Sequence, residues 1–329
     1  MINLGGNQMK KTLIGLAAGM VMSAVAGAAY AFPDGPVTIV VPFPPGGATD
    51  TTARLMEATM AAALGGNVVV ENLPGATGSI GASRVATAEA DGQTLMVASL
   101  GTFATNPYLQ KNLAYDPVKD FDLLTVAVRT PNVLVANPQF EAADVAALVE
   151  AMKAEPATVT FANSGTGSSD HLTAALFWQA TGTEGVHVPY KGGSAAQTDL
   201  LGGHVDVSFQ NLGAILTYVQ AGQMKALAQT GETRHSMLPD VPTLQELGYA
   251  DVVVNSWQGV AAPKGLPAET RTKLNEALQI SLKDPGVVEE FGKLGFEVVA
   301  NSNEEFASFL TQEMARWRGV IEKAGIQPE

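Results

Sequence analysis

The chain has 329 residues, which is enough for two domains of ordinary size. Hydrophobic residues make up 46% of it and charged residues 16%, a composition typical of globular proteins that excludes a disordered or fibrous chain. Because 32 acidic residues oppose 19 basic ones, the net charge is −13 and we expect no nucleic-acid partner.

The first 31 residues have the pattern of a secretory signal peptide. Lys10 and Lys11 precede an apolar stretch over 13–28, and residues 29–31 match a small-x-small cleavage site. An uncleaved anchor helix is the alternative, but Gly, Ala and Ser dilute the stretch. We therefore predict a cleaved signal peptide over 1–31 and a periplasmic location, which suits a chain without cysteine.

Short β-branched runs alternate with helical patterns at the start of the mature chain. The predicted strands are 37–41, 67–71 and 94–99. A helix follows the Pro-Phe-Pro-Pro-Gly-Gly loop after the first strand, and another is predicted over 79–90. This alternation predicts a parallel α/β unit.

The middle of the chain repeats the alternation. Two apolar runs, 121–128 and 132–136, flank Arg129, Thr130 and Pro131, and together they are long enough to leave one sheet and enter another. We predict that the chain crosses into a second lobe there. Elements of that lobe are predicted at 141–153, 158–162, 168–181, 186–188, 195–201, 205–209 and 224–229.

The C-terminal segment is predicted to return to the first lobe. A strand over 256–263 precedes three helices, of which the first begins near Pro267 and the last carries a capping box of Ser302 and Glu305. Because these helices need a sheet to cover, we expect them to pack on the first lobe. The fold is therefore predicted to be α/β with two domains and a cleft between them: lobe 1 over 32–128 plus 258–329, and lobe 2 over 129–257.

Two glycine-rich loops, 43–50 and 163–171, each follow a predicted strand and lead into a predicted helix. In open parallel sheets ligands bind beyond the carboxyl ends of strands, and a helix N-terminus attracts anions. For an acidic protein this is a way to hold a carboxylate without Lys or Arg. The candidate ligand residues are Pro45, Gly46, Gly47, Ala48, Thr49, Asp50, Ser164, Gly165, Thr166, Ser168, His171 and Asp206.

Most of these candidates also have a structural interpretation. The glycines fit plain turns, and Asp50 and Ser168 fit helix caps. His171, in the first turn of a predicted helix, is equally well interpreted as a pocket donor or as a packed side chain. A local backbone contact is the alternative for Asp206.

Signatures of catalysis and of metal binding are missing from the sequence. It has no nucleophile elbow and no nucleotide-phosphate loop, and its four histidines are not spaced as ligands on one helix face. We therefore expect no cofactor, no metal and no enzyme activity. An exported hydrolase that uses Ser164, His171 and Asp206 is the weakest alternative.

Five segments, taken together and in order, resemble one known family. They are PVTIVVPFPPGGATD (36–50), ENLPGA (71–76), VPYKGG (188–193), DLLGGHVD (199–206) and LPDVPT (238–243). The chain resembles, over nearly its whole mature length, the substrate-binding proteins of tripartite tricarboxylate transporters, also called Bug or TctC-type proteins. The resemblance implies a two-lobed periplasmic binding protein of type II topology, which delivers a small organic acid to integral-membrane permease subunits.

The resemblance also implies where the acid binds. In this family its carboxylate is held, partly through ordered waters, between two loops that correspond here to 45–50 and 164–171. Gln258 departs from the family pattern, because many members have Tyr at that position, and the ligand's distal group is therefore left open. We expect a monomer. A sensor module that presents its loaded form to a membrane receptor is the alternative function.

Overall fold

The fold is known from a computed structural model that describes residues 1–2 and 32–328. The predicted signal peptide therefore lies outside the described residues, except for Met1 and Ile2. None of the helices within the described ranges is long and apolar enough to cross a membrane.

The structure contains two mixed sheets and the helices that cover them. The strands are β1 (Val37–Val41), β2 (Val68–Asn72), β3 (Thr94–Ser99), β4 (Phe121–Ala136), β5 (Thr160–Asn163), β6 (Val186–Pro189), β7 (Val207–Asn211), β8 (Lys225–Gln229), β9 (Asn255–Pro263) and β10 (Glu297–Val298). The helices are α1 (Ala48–Leu64), α2 (Ser79–Ala86), α3 (Asn106–Leu109), α4 (Val145–Ala154), α5 (Ser169–Thr181), α6 (Gly193–Leu201), α7 (Leu212–Gln220), α8 (Ala268–Leu282), α9 (Pro285–Lys293) and α10 (Asn303–Ala324). A π-helical turn over Gly101–Thr105 connects β3 to α3.

The two sheets share the long strand β4. Sheet 1 has the order β2-β1-β3-β9-β4-β10, with β1 parallel to both β2 and β3, and β9 antiparallel to both β3 and β4. Sheet 2 has the order β8-β4-β7-β5-β6, in which β5 is parallel to β6 and β7. We call the elements on sheet 1 lobe 1 and those on sheet 2 lobe 2.

The chain passes between the lobes inside β4. Pro131 still pairs with Asn255 of β9, whereas Asn132 already pairs with Asn211 of β7. The two apolar runs expected on either side of Thr130 therefore form one continuous strand, because Pro131 closes the ladder to β9 and its neighbour opens the ladder to β7.

Apolar side chains fill both faces of each sheet. On sheet 1, the helices α1, α8 and α9 cover one face, whereas α2, the π-helical turn and α10 cover the other. On sheet 2, α4 and α5 cover one face, and α6 and α7 cover the other. The sequence pattern predicted all of these helices except α7, and it did not predict the short helix α3 either.

The C-terminal helix α10 packs as its pattern predicted, with Phe306 and Trp317 completely buried against sheet 1. The capping box of Ser302 and Glu305 is confirmed. The same helix also touches lobe 2, because the Gln179 side chain at the end of α5 donates a hydrogen bond to its backbone. The C-terminal helix thus contacts both lobes.

Candidate functional site

The two glycine-rich loops lie at the carboxyl ends of β1 and β5. Loop 1 (residues 42–47) connects β1 to α1, and loop 2 (residues 164–168) connects β5 to α5. Loop 2 lies against lobe 1: a Cβ placed on Gly101 would be 3.7 Å from the Gly167 carbonyl oxygen and 3.8 Å from Thr77 Cγ2. The Thr105 hydroxyl donates a hydrogen bond of 2.9 Å to the same Gly167 oxygen. The π-helical turn that follows β3 in lobe 1 therefore contacts loop 2 of lobe 2 directly.

Asp50, in the first turn of α1, holds loop 1 in place. Its carboxylate accepts hydrogen bonds from the Gly46 amide at 2.8 Å, from Asn72 Nδ2 at 2.9 Å and from Arg54 Nε at 3.0 Å. Burial opposes ionisation, but these hydrogen bonds outweigh it and hold the pKa of Asp50 below its usual range. The carboxylate is thus occupied by its own loop.

Within the residues that the structure describes, no side chain caps the N-terminus of α1. Gly47 is the N-cap residue, and the loop reaches it through Gly46 at φ +85°, a conformation that favours glycine. The first amides of a helix have no partner within the helix. Ala48 and Thr49 therefore present backbone donors and the positive end of the dipole at the edge of lobe 1.

Gln258 lies beneath the first turn of α1. It belongs to β9, is only 1% exposed, and its Oε1 accepts a hydrogen bond of 2.8 Å from the Thr49 hydroxyl. Sequence reasoning identified Gln258 as a departure from the family pattern, and the structure shows which candidate residue it contacts. The two residues are 209 positions apart in the chain.

Loop 2 is held by residues of the first turn of α5. Asp170 Oδ2 accepts hydrogen bonds of 2.6 Å from both the amide and the hydroxyl of Ser164. Ser168 is the N-cap of α5, and its hydroxyl also donates to the Gly165 carbonyl at 2.6 Å. The two loops are therefore built alike, since each is held by the Asp side chain of the helix that follows it.

His171 is a packed side chain that also fixes loop 2. Its Nδ1 accepts a hydrogen bond of 3.0 Å from the Gly167 amide, which places the proton of the neutral ring on Nε2. The ring stands edge-on to His187 with centroids 4.0 Å apart. Burial lowers the pKa of His171 to about 4, and burial together with the His171 ring lowers the pKa of His187 to about 3. Both rings are neutral at neutral pH.

The structure does not bring Asp206 to the other candidates. Its Oδ2 accepts hydrogen bonds from the Thr160 amide at 2.8 Å and the Thr160 hydroxyl at 2.7 Å. Both residues lie at the amino ends of their strands, so Asp206 is separated from loop 2 by the length of β5, about 13 Å for four residues. Asp206 thus makes the local backbone contact that was its alternative interpretation.

The triad of the hydrolase alternative is not assembled either. The Ser164 hydroxyl bonds to Asp170, and His171 Nδ1 is occupied by a backbone amide. Among the residues that the structure describes, no group of three or more His, Asp and Glu side chains is arranged to hold a metal ion.

Sequence reasoning missed the segment that follows β3. Besides Thr105, it supplies Thr102, whose buried hydroxyl has no hydrogen-bond partner within the described part of the chain and lies 2.5 Å from where a Cβ on Gly78 would be. Asn163, at the end of β5, accepts the Gly165 amide with its Oδ1 at 3.1 Å, whereas its buried Nδ2 has no hydrogen-bond partner among the described residues. The sequence did contain a signal for this segment. The predicted strand over Thr94–Ser99 is parallel to β1, so its carboxyl end lies at the same sheet edge as loop 1.

Comparisons with known proteins agree with this architecture. The family model described as "Tripartite tricarboxylate transporter family receptor" matches residues 52–326. A curated relative from Agrobacterium vitis, the UPF0065 protein in the TAR-I ttuE-ttuC' intergenic region, is 40% identical over 304 residues, which cover 92% of this chain and 88% of the relative.

Solved structures of similar sequence share the fold. Periplasmic binding protein BugD is 36% identical with a TM-score of 0.84, and the match covers 91% of this chain and 100% of BugD. R. palustris Rpa4515 with adipate is 35% identical with a TM-score of 0.86, covering 91% and 100%. MatC from Rhodopseudomonas palustris with bound malate is 33% identical with a TM-score of 0.82, covering 88% and 100%. The two-lobed α/β fold with a cleft is therefore that of periplasmic binding proteins.

Proposed function

Because this chain belongs to the tripartite tricarboxylate transporter receptor family, we propose that it binds a small organic carboxylate in the cleft between its lobes and delivers it to membrane permease subunits. Homologues of this chain are periplasmic binding proteins, and the solved structures of two of them contain adipate or malate. The mature protein would begin at Phe32, in the periplasm.

The single observation that carries this proposal is the pair of similarly built loops at the cleft. Each loop ends at a helix N-terminus, and in each an Asp of the first helical turn accepts an amide of its own loop: Asp50 from Gly46, and Asp170 from Ser164. Because these carboxylates hold the loops, the uncapped amides at Ala48 and Thr49 are left for an incoming anion.

The binding site proposed here therefore differs in part from the sequence-based candidates. Pro45, Gly46 and Gly47 shape loop 1, while Ala48 and Thr49 supply donors from lobe 1. Ser164, Gly165, Thr166 and Ser168 form the facing loop of lobe 2, with His171 behind it. Asp206 is not part of this site.

In this mechanism, part of the binding energy comes from contacts that form only when the two lobes close. An acid that docks on one lobe gains the contacts of the other lobe only when the cleft is closed, so binding shifts the open-to-closed equilibrium. The Thr105–Gly167 hydrogen bond joins the two lobes, and in this mechanism it is one of the contacts that closure uses. No bond of the acid is broken, and the permease recognises the closed shape.

A thermal-shift screen of the mature chain, residues 32–329, tests the proposal. The panel contains citrate, malate, adipate, glutamate and benzoate, and a ligand bound only by the native state raises the melting temperature in a concentration-dependent way. We expect at least one of these acids to do so. A panel without any shift contradicts the proposal.

Two matched variants test the location of the site. Asp50→Ala removes the side chain that holds loop 1 in place. Asp206→Ala removes a similar acceptor of a backbone amide, but at the edge of sheet 2 that lies away from loop 2. Both variants are expected to melt at a lower temperature, but only Asp50→Ala should lose the acid-induced shift. An equal loss in both variants would place the site elsewhere. Uptake of the acid by cells that lack the permease tests delivery.

A further inference from the structure

Asp170 is a buried carboxylate that has no cationic partner in the described part of the chain. Only 5% of the residue is exposed, and its Oδ2 accepts two hydrogen bonds from Ser164. Within residues 32–328 it makes no ion pair, and the groups that act on it are hydroxyls and amides of Ser164, Ser168 and its own backbone. Burial raises the pKa of the Asp170 carboxyl.

The equivalent residue of lobe 1 is differently placed. Asp50 also lies in the first turn of a helix and also accepts an amide of the preceding loop, but Arg54 lies 3.0 Å from its carboxylate. The charge of Asp50 is thus balanced by an ion pair, whereas the charge of Asp170 is balanced only by hydrogen bonds and by the N-terminus of α5. The two similarly built loops therefore differ in how the charge of the Asp that holds each of them is balanced.

Among the residues that the structure describes, no titratable group around Asp170 forms an ion pair with it. On α5 and β6, burial keeps His171 and His187 neutral at neutral pH, as described above. After β6, the Tyr190 hydroxyl donates to Asp199 at 2.7 Å, and burial followed by Asp199 raises the pKa of Tyr190 to about 12. Lys191 is exposed in the same loop. Polar side chains of β5 and β7 near loop 2, such as Asn163 and Gln210, are uncharged amides.

A ligand carboxylate at loop 2 would therefore share the N-terminus of α5 with the carboxylate of Asp170. Two carboxylates at one site cannot both ionise freely, and the less solvated of them takes the proton. Asp170 is the less solvated one, because the ligand's carboxylate enters from the cleft. Its Oδ2 can keep both Ser164 hydrogen bonds while a proton resides on Oδ1.

We propose that Asp170 takes up a proton from solvent when the acid binds, so that the ligand carries the only negative charge at the N-terminus of α5. The inference rests on the proposed function and adds a proton to the binding reaction. One carboxylate group and one proton enter loop 2 together, so the net charge at the N-terminus of α5 does not change. Binding should consequently weaken as the pH rises, by up to tenfold per pH unit.

Calorimetric titration in buffers of different ionisation enthalpy measures this proton directly. The titrant is adipate or malate, whichever stabilises the mature chain more, between pH 6.5 and 9. For the wild type we expect an uptake that approaches one proton per acid bound in part of this range. Asp170→Asn mimics the protonated acid, so it should bind within about threefold of the wild type at pH 6.5 with no uptake and no pH dependence.

Asp206→Asn is the matched control, because Asp206 accepts the amide and the hydroxyl of Thr160 just as Asp170 accepts those of Ser164. This control should keep the full proton uptake. Uptake that is the same in Asp170→Asn and wild type assigns the proton to another group and overturns the proposal. Binding without uptake at every pH overturns it too, while the proposed function stands.

A second measurement on the wild type does not depend on the folding of a variant. Difference infrared spectroscopy should show the carbonyl stretch of a protonated carboxylic acid appearing when adipate or malate is added. No such band in a sample that binds the acid contradicts the inference. If neither acid binds, the proposed function fails for these acids and the inference fails with it.

Discussion

Glu313 joins the C-terminal helix to the sheet of lobe 1 through two tryptophans. Its Oε2 accepts the indole N–H of Trp257 on β9 at 2.8 Å and that of Trp317 on α10 at 3.0 Å. Trp257 in turn stacks on Phe103 of the π-helical turn, with ring centroids 5.8 Å apart. Loss of this carboxylate should therefore loosen α10 from the sheet.

The expected cost follows from the two hydrogen bonds. A hydrogen bond to a charged acceptor contributes about 1.5–3 kcal/mol, and Glu313→Leu leaves both buried indole donors without a partner. Removal of a mostly buried carboxylate and the added apolar packing offset part of this loss, so we expect the free energy of unfolding to fall by about 3–5 kcal/mol. Glu313→Gln keeps an oxygen that can accept both donors and should cost about 1 kcal/mol.

Urea unfolding followed by tryptophan fluorescence measures both variants, because Trp257 and Trp317 are two of the three tryptophans in the chain. Glu322→Leu is the control on the same helix, since its ion pair with Arg318 is exposed and such pairs contribute about 0–1 kcal/mol. Equal stability of the Leu and Gln variants at position 313 would refute this account of how α10 is held.

Three further predictions concern the loops. Thr105→Val removes the hydrogen bond to the Gly167 oxygen, so it should weaken acid binding roughly fivefold in a calorimetric titration, for a contribution of about 1 kcal/mol; unchanged affinity would show that closure does not use this contact. Because the pKa of His171 is lowered in the folded state, the unfolded chain takes up a proton at a higher pH than the folded chain does. The contribution of neutral His171 to the free energy of unfolding is therefore complete above pH 6.5 and is lost as the pH falls towards 4. At pH 4 this loss amounts to about 3 kcal/mol. Urea unfolding of His171→Asn, whose Oδ1 can accept the same amide, should show the wild type losing that much more stability than the variant; parallel pH profiles would contradict the assignment. Gly46→Ala should lower the free energy of unfolding by about 1–2 kcal/mol in the same assay, because φ at Gly46 is +85°. Among the described residues other than the two chain neighbours, no atom lies within 4 Å of the added Cβ, so we expect backbone strain alone to act. Gly46→Asn should cost less.

Local patterns were sufficient to predict most elements of the fold. Strands β1 and β3 begin and end at their predicted residues, because β-branched runs bounded by Pro, Gly and polar residues have few alternatives. The capping box and apolar stripe of α10 also held, since both depend on residues a few positions apart. The helix α7 was missed: its N-cap residue Asn211 makes no side-chain cap, and its sequence is apolar on most sides.

The sequence by itself determined the alternation of strands and helices, and hence that loops 1 and 2 lie at strand ends before helix N-termini. Only the tertiary structure decided which side chains meet. It placed Asp206 at the far edge of sheet 2, and it brought Thr105 to Gly167 and Thr49 to Gln258. The reason is physical: backbone periodicity is set by neighbours in the chain, whereas a contact across 209 residues depends on how strands and helices distant in the chain come together on one sheet.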